Sequence, residues 1–388
     1  MHVGRKGLRV SEPCSTRLRV LVIVGTRPEA IKMAPVIAEL RRKAPRIQTV
    51  VCSTGQHREM LQQTLGAFHI KADLELDLMS SNQGLSEITA RLLEGIDRVV
   101  QEVQPAWILA QGDTTTVMAG ALVAYYRKSK FGHVEAGLRT NNLYSPFPEE
   151  LNRRVADLVA TRHFCPTDDA ARNLEREGIA KERIQITGNT VVDALLEVAG
   201  RPYDWTKGPL ARVPRDRRLI VVTAHRRESF GEPLHEVCLA LGTLARQFAG
   251  EKVHIVFPVH LNPNVRQPVH ELLGGEPNIQ LLEPLEYPAM VHLMKHASLI
   301  LTDSGGIQEE APSLKVPVLV MRDTTERPEG VQAGAVRLVG TNASTIVAEA
   351  SSLLRNEKAR LAMCSGANPY GDGKAAQRIV HELLSHFT

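Results

Sequence analysis

Apolar residues in this chain fall in short continuous runs rather than in strict alternation. Residues 18–24 read LRVLVIV, residues 47–53 IQTVVCS and residues 106–110 AWILA. Such β-branched and aliphatic runs predict strands buried on both faces, as in a parallel sheet. The same signal places strands at 131–135, 162–165, 219–223, 253–258, 279–282, 299–302 and 316–321. Between them, helices are predicted over 29–43, 59–65, 85–103, 115–126, 149–160, 168–177, 343–354 and 375–386. Pro28 suits the first turn of the earliest helix. Regular alternation of strand and helix predicts an α/β protein built on doubly wound parallel sheets.

The alternation pauses once, at residues 200–217 (GRPYDWTKGPLARVPRDR), where Pro, Gly and charge accumulate. This is the linker candidate. The predicted organisation is a flexible leader at 1–17, a Rossmann-like domain at 18–200 and a second at 201–373. The terminal helix, 374–388, is expected to pack back on the first domain. A length of 388 residues accommodates two such cores.

Composition narrows the picture. With 43% hydrophobic and 23% charged residues, the chain reads as globular. A formal charge of +4 gives no ground for a nucleic-acid or membrane partner. The cysteines, Cys14, Cys52, Cys165, Cys238 and Cys364, are odd in number and widely spaced, which fits reduced thiols. Cys52 and Cys165 lie in apolar runs and are expected to be buried and inert. The leader lacks the apolar run of a signal peptide, and no stretch of about 18 apolar residues occurs, so a cytoplasmic location is expected. His292 and His296 share a predicted helix, but no HExxH or Cys/His pairing accompanies them, and no metal is expected.

Ligands of open α/β sheets bind beyond the carboxyl ends of strands, and the unusual residues collect there. Gly25-Thr26-Arg27-Pro28-Glu29 offers a helix N-terminus to an anion, with Arg27 and Lys32 adding charge. A plain turn with solvated cations is the alternative. Asp113, in Gly112-Asp113-Thr114, stands where N-caps stand, and capping explains it as readily as a polar pocket does. Glu135 ends a buried strand and needs a partner, for which Arg139 is near in sequence. Glu149 and Glu150 open a helix, where one of them serves the helix dipole. The proline-bounded segment 140–147 before them has the character of a lid. In the second half, His225-Arg226-Arg227 reads as a diphosphate contact or a solvated basic turn. Ser304-Gly305-Gly306 lets a phosphate approach the backbone, ahead of Gln308, Glu309 and Glu310. Arg322, Glu326 and Arg327 follow the next strand.

Taken in order, GTRPEAIKMAP (25–35), QHREM (56–60), GDTTT (112–116), HVEAGLRT (133–140) and YSPFPEELNR (144–153) lead into a second series. That series is ITGNTVVDAL (186–195), HRRESFG (225–231), PVHLNPNVR (258–266), LTDSGGIQEEAPSL (301–314), RDTTERPEG (322–330) and NPYGDGKA (368–375). The set closely resembles the bacterial non-hydrolysing UDP-N-acetylglucosamine 2-epimerases, from about residue 18 to the end.

The resemblance implies a glycosyltransferase-B-like fold with a central cleft and a homodimer. It implies reversible interconversion of UDP-N-acetylglucosamine and UDP-N-acetylmannosamine without a cofactor, feeding surface polysaccharide synthesis. Asp113, Glu135 and Glu149 would be the catalytic carboxylates, acting with His225. Arg27, Lys32, Ser304, Gly305, Gly306, Glu310 and Arg327 would bind the nucleotide. A regulatory substrate site would draw on Gln56, His57, Gln83, Arg226 and His260. Asn82 departs from the arginine that some relatives carry beside that site.

Overall fold

The structure is a computed structural model and describes residues 17–55, 58–78, 83–366 and 368–386. The expectations for the leader up to residue 16, and for Gln56, His57 and Asn82, fall outside the described residues. The first sheet comprises β1 (Leu18–Val24), β2 (Ile47–Ser53), β3 (Leu74–Glu75), β4 (Trp107–Gln111), β5 (Lys130–Val134), β6 (Arg162–Cys165) and β7 (Ile184–Ile186). The second comprises β8 (Arg218–Thr223), β9 (Val253–Pro258), β10 (Ile279–Leu282), β11 (Ala297–Thr302), β12 (Val318–Val320) and β13 (Val336–Leu338).

The strand orders are β3-β2-β1-β4-β5-β6-β7 and β10-β9-β8-β11-β12-β13. Every pairing is parallel. These are two Rossmann-like, doubly wound sheets, as the continuous apolar runs predict. In β1 every residue except Arg19 is buried. Full burial of one Val, Leu or Ile contributes roughly 1.5–3 kcal/mol, so the central strands anchor each half. Each sheet reverses its strand order once, between β1 and β4 and between β8 and β11. Those reversals leave a crevice at the strand carboxyl ends.

Three short strands have no counterpart in the sequence reading: β3, β7 and β13. Each is two or three residues long and forms a sheet edge, where there is too little chain to carry a period. The Thr190–Ala199 helix also goes unread. It packs against the Arg27–Arg42 helix and the Tyr287–Lys295 helix, and so bridges the two halves. The linker is not a free tether, because Trp205, Leu210 and Val213 are buried in a core that is continuous from β1 to β11. The Ala375–Ser385 helix lies on the Arg27–Arg42 and Thr190–Ala199 helices. Asp193 accepts the Ala375 and Ala376 N–H groups at 3.2 and 2.9 Å and caps that helix.

Cys52, Cys165 and Cys238 are buried, and burial pushes the Cys52 and Cys238 thiols up to about 12. No helix among the described residues is long and apolar enough to cross a membrane.

Candidate active site

The loops after β1, β4 and β5 face those after β8 and β12 across one cleft of about 1310 Å³. Arg27, Lys32, Asp113 and Glu135 line it from the first half, and Arg226 and Arg327 from the second. The Thr140–Pro146 stretch contributes Thr140, Asn142, Ser145 and Pro146.

Glu135 stands one residue past β5, with φ at +63°, rather than at the end of the strand. The left-handed turn carries its side chain to Lys32, whose Nζ lies 2.5 Å from Oε2. Arg139 is therefore not its partner. Gly137, also left-handed at φ +89°, redirects the chain. Arg139 instead reaches Asp157 at 2.8 Å and Glu177 at 2.6 Å. A β-carbon at position 137 would collide with the Ala170 carbonyl, so glycine alone permits this turn.

Lys32 also lies 3.6 Å from Glu309 of the second half. Glu309 in turn pairs with Arg327 and accepts from Asn189 Nδ2 at 3.1 Å. One ammonium thus serves two carboxylates with different surroundings. Burial raises both, but Arg327 and Lys32 prevail at Glu309 and hold it below the usual carboxylate range. Glu135 is pushed up, by burial first and by the charge of Glu309, against the pull of Lys32. Neighbouring acids whose affinities for a proton are driven apart are the arrangement that acid–base chemistry uses.

Asp113 is not the cap of the following helix. Thr114 holds that position and accepts from the Val117 N–H at 3.4 Å. The Asp113 carboxylate is left facing the cleft, where Arg153 Nη2 meets it at 2.5 Å. Asn152 donates to the Asp113 carbonyl at 2.9 Å. Arg153 belongs to the YSPFPEELNR run, but a helical arginine in sequence carries no sign of which way it points.

Of the paired acids at 149 and 150, Glu150 is the structural one. It is fully buried and accepts the Thr140 and Asn141 N–H groups at 3.0 and 3.2 Å, which fastens the loop. Glu149 Oε2 is buried without a hydrogen-bond partner among the described residues. It is not part of the cleft wall.

Glu29 is a further site residue that the Gly25–Glu29 turn does not single out in sequence. It closes a capping box with Thr26 and lines the cleft. It accepts from the Gly25 N–H at 2.5 Å and the Thr114 hydroxyl at 2.6 Å. Burial pushes its carboxyl up to about 7.

Of the remaining predicted residues, Arg27 and Arg226 line the cleft, whereas His225, His260, Ser304, Gly305, Gly306, Glu310 and Gln83 are not part of its wall. His225 and Arg226 donate backbone N–H groups to Asp303 Oδ2 at 2.8 and 2.9 Å. The His225 ring sits 3.3 Å from Asp303 Oδ1 and stacks on His260 at 5.8 Å. Burial lowers the His225 pKa despite Asp303. Ser304, Gly305 and Gly306 follow at the start of the Gly305–Glu310 helix. Arg27 donates to the Leu285 carbonyl at 3.4 Å. Glu310 is buried and accepts from the Tyr287 hydroxyl at 2.9 Å, and burial pushes it up to about 7. Gln83 lies apart, bonded to the Leu78 carbonyl at 3.4 Å.

The family model described as UDP-N-acetylglucosamine 2-epimerase matches residues 38–384. The UDP-N-acetylglucosamine 2-epimerase of Escherichia coli K12 is 52% identical over 375 residues, covering 95% of this chain and 99% of that protein. A crystal structure of the UDP-GlcNAc 2-epimerase of Neisseria meningitidis bound to UDP-GlcNAc superposes with a TM-score of 0.85 at 45% identity, over 95% of this chain and 100% of that one. A glycosyltransferase from Rickettsia africae, 14% identical with a TM-score of 0.61 over 96% of this chain and 99% of that one, shares the fold alone. Agreement along nearly the whole length, on this two-sheet frame, makes the chain a member of the UDP-N-acetylglucosamine 2-epimerase family.

Proposed function

We propose that the protein interconverts UDP-N-acetylglucosamine and UDP-N-acetylmannosamine by the non-hydrolysing route. The observation that carries this reading is the shared cleft, which gathers Asp113 and Glu135 from one half and Arg226 and Arg327 from the other. The hydrogen on C2 of the sugar is not acidic, so direct inversion is blocked. Elimination avoids the difficulty. A carboxylate takes the C2 proton, the C2–H electrons form the C1–C2 double bond, and the C1–O bond breaks with its electrons leaving on UDP. Bound 2-acetamidoglucal remains. Return of a proton to the opposite face of C2, with UDP rejoining C1, completes the inversion.

Two faces require more than one acid, which suits Asp113 and Glu135 in the cleft wall; Glu149, outside that wall, is proposed as the third carboxylate. The departing diphosphate requires fixed positive charge, which suits Arg27, Lys32, Arg327 and His225, with the backbone of Ser304, Gly305 and Gly306. Glu310 is assigned to the nucleotide. Arg226 and His260 are the described residues proposed to serve a regulatory contact with the substrate. The loop at 140–147, fastened by Glu150, would exclude water from the glycal. We also propose a homodimer, cytoplasmic and supplying polysaccharide synthesis.

Proton NMR of UDP-N-acetylglucosamine with the pure protein in heavy water tests the reaction. The expected result is UDP-N-acetylmannosamine carrying deuterium at C2. Accumulation of free N-acetylmannosamine would replace this route with hydrolysis, and an unchanged substrate would refute it.

A further inference from the structure

Two histidines face each other across neighbouring strands: His133 on β5 pairs in register with His163 on β6. Both are fully buried, yet they are held differently. His133 Nδ1 lies 2.6 Å from Asp157 Oδ1, and its Nε2 lies 2.7 Å from the Gly112 carbonyl. A carbonyl and an ionised carboxylate both accept and never donate. Satisfying the two together requires an N–H on each ring nitrogen, which is the imidazolium. Asp157 is ionised because Arg139 stands 2.8 Å from its other oxygen.

The groups facing His133 agree. Burial opposes charge on the ring, but the Asp157 carboxylate outweighs it and raises the pKa, with Arg139 acting weakly in the other direction. Burial opposes the Asp157 charge too, and His133 and Arg139 overcome it. His163 has no such carboxylate bond. Its Nε2 lies 2.8 Å from the Asp157 carbonyl, its Nδ1 3.2 Å from the Arg183 carbonyl, and the Asp157 carboxylate is 4.0 Å away. Burial keeps its pKa below the ordinary histidine value.

The far end of this clamp is the cleft. Gly112 is left-handed at φ +86°, and its carbonyl belongs to the peptide that leads into Asp113. Glu177, Arg139, Asp157 and His133 thus form a line of alternating charge that ends one peptide away from a candidate catalytic carboxylate. The Glu149–Val159 helix closes the other side through Asn152 and Arg153. We infer that His133 is a positioning residue: as a buried imidazolium it grips the Gly112 carbonyl and so aims the Asp113 carboxylate into the cleft. The inference rests on the proposed role of Asp113.

Replacing His133 by Gln keeps one donor and removes the charge. Misplacing a reacting group by about 1 Å costs on the order of 10²-fold, so kcat should fall by about that factor while KM stays close to wild type. Because His133 acts only through Asp113, the double variant His133→Gln/Asp113→Asn should be no slower than Asp113→Asn alone. Multiplying losses, or a KM effect in place of a kcat effect, would overturn the proposal. So would NMR of nitrogen-labelled histidine in the wild-type protein at pH 8 if it showed the His133 ring neutral. The expected spectrum has the His133 ring doubly protonated, a readout that holds even if His133→Gln does not fold. Full activity in Asp113→Asn would sink the role of Asp113 rather than the protonation state, which the spectrum decides independently.

Discussion

Lys32 is the residue on which the acidic side of the cleft turns, since its ammonium touches Glu135 at 2.5 Å and approaches Glu309 at 3.6 Å. Removing that cation leaves two carboxylates facing one another, which raises the proton affinity of Glu135 further. In Lys32→Met the acidic limb of the kcat/KM profile should therefore move to higher pH, with activity down by about 10²–10⁴-fold. A limb that stays in place in the pH–rate series would separate Glu135 from proton transfer.

Glu310 makes a different prediction. Its folded-state carboxyl is pushed up to about 7, by burial before anything else, whereas an unfolded glutamate titrates near ~4.3. Between those values the folded protein binds more protons than the unfolded chain, so the group costs stability as pH rises through that window. Glu310→Gln keeps an acceptor for Tyr287 and removes the titration. Its melting temperature should exceed that of the wild type at pH 8 and converge with it at pH 4–5. Parallel melting curves across that range would show that Glu310 ionises without cost.

At the level of elements, caps and loop anchors decide what each helix presents. The Arg27–Arg42 helix starts two residues earlier than its apolar period indicates, because Thr26 and Glu29 cap each other. The Ala375–Ser385 helix has no cap of its own in sequence, and Asp193, far away along the chain, supplies one. Asp193→Ala should cost about 0.5–2 kcal/mol in urea unfolding, the usual cost of a lost N-cap. The loss should concentrate in faster amide exchange over residues 375–385, while Asp193→Asn, which keeps an acceptor, should be milder. Uniform exchange across the chain would mean that the helix is held by its apolar face alone.

For the whole molecule, the halves meet through a continuous apolar core and through polar links at the cleft. Lys32 and Asn189 reach Glu309, and Thr167 donates to Glu329 at 3.0 Å. On the outer side of the first sheet, the Leu85–Val103, Thr115–Tyr126 and Glu149–Val159 helices lie side by side. That layer leaves Leu158 72%, Tyr125 65% and Tyr126 64% exposed, more apolar surface than a solvated helix face usually shows. In the proposed homodimer this face would receive the second copy, and Leu158→Asp should then give a monomer in light scattering. An unchanged mass would place the interface elsewhere or remove it.

Strand-helix alternation, the reversal of polarity at strand ends and the position of each motif could be read from residue order, because burial on both faces of a parallel strand leaves an uninterrupted apolar run. The identity of the site residues as polar groups at strand ends was legible for the same reason. Partnership was not. Glu135 pairs with Lys32 instead of Arg139, Thr114 caps where Asp113 was a candidate, and Glu150 rather than Glu149 ties down the loop. Each of these outcomes depends on a backbone turn or a contact between residues distant along the chain, such as φ +63° at Glu135 and +89° at Gly137. A linear pattern records which groups are available, and only the packing of two sheets against one cleft sets the distances that choose among them.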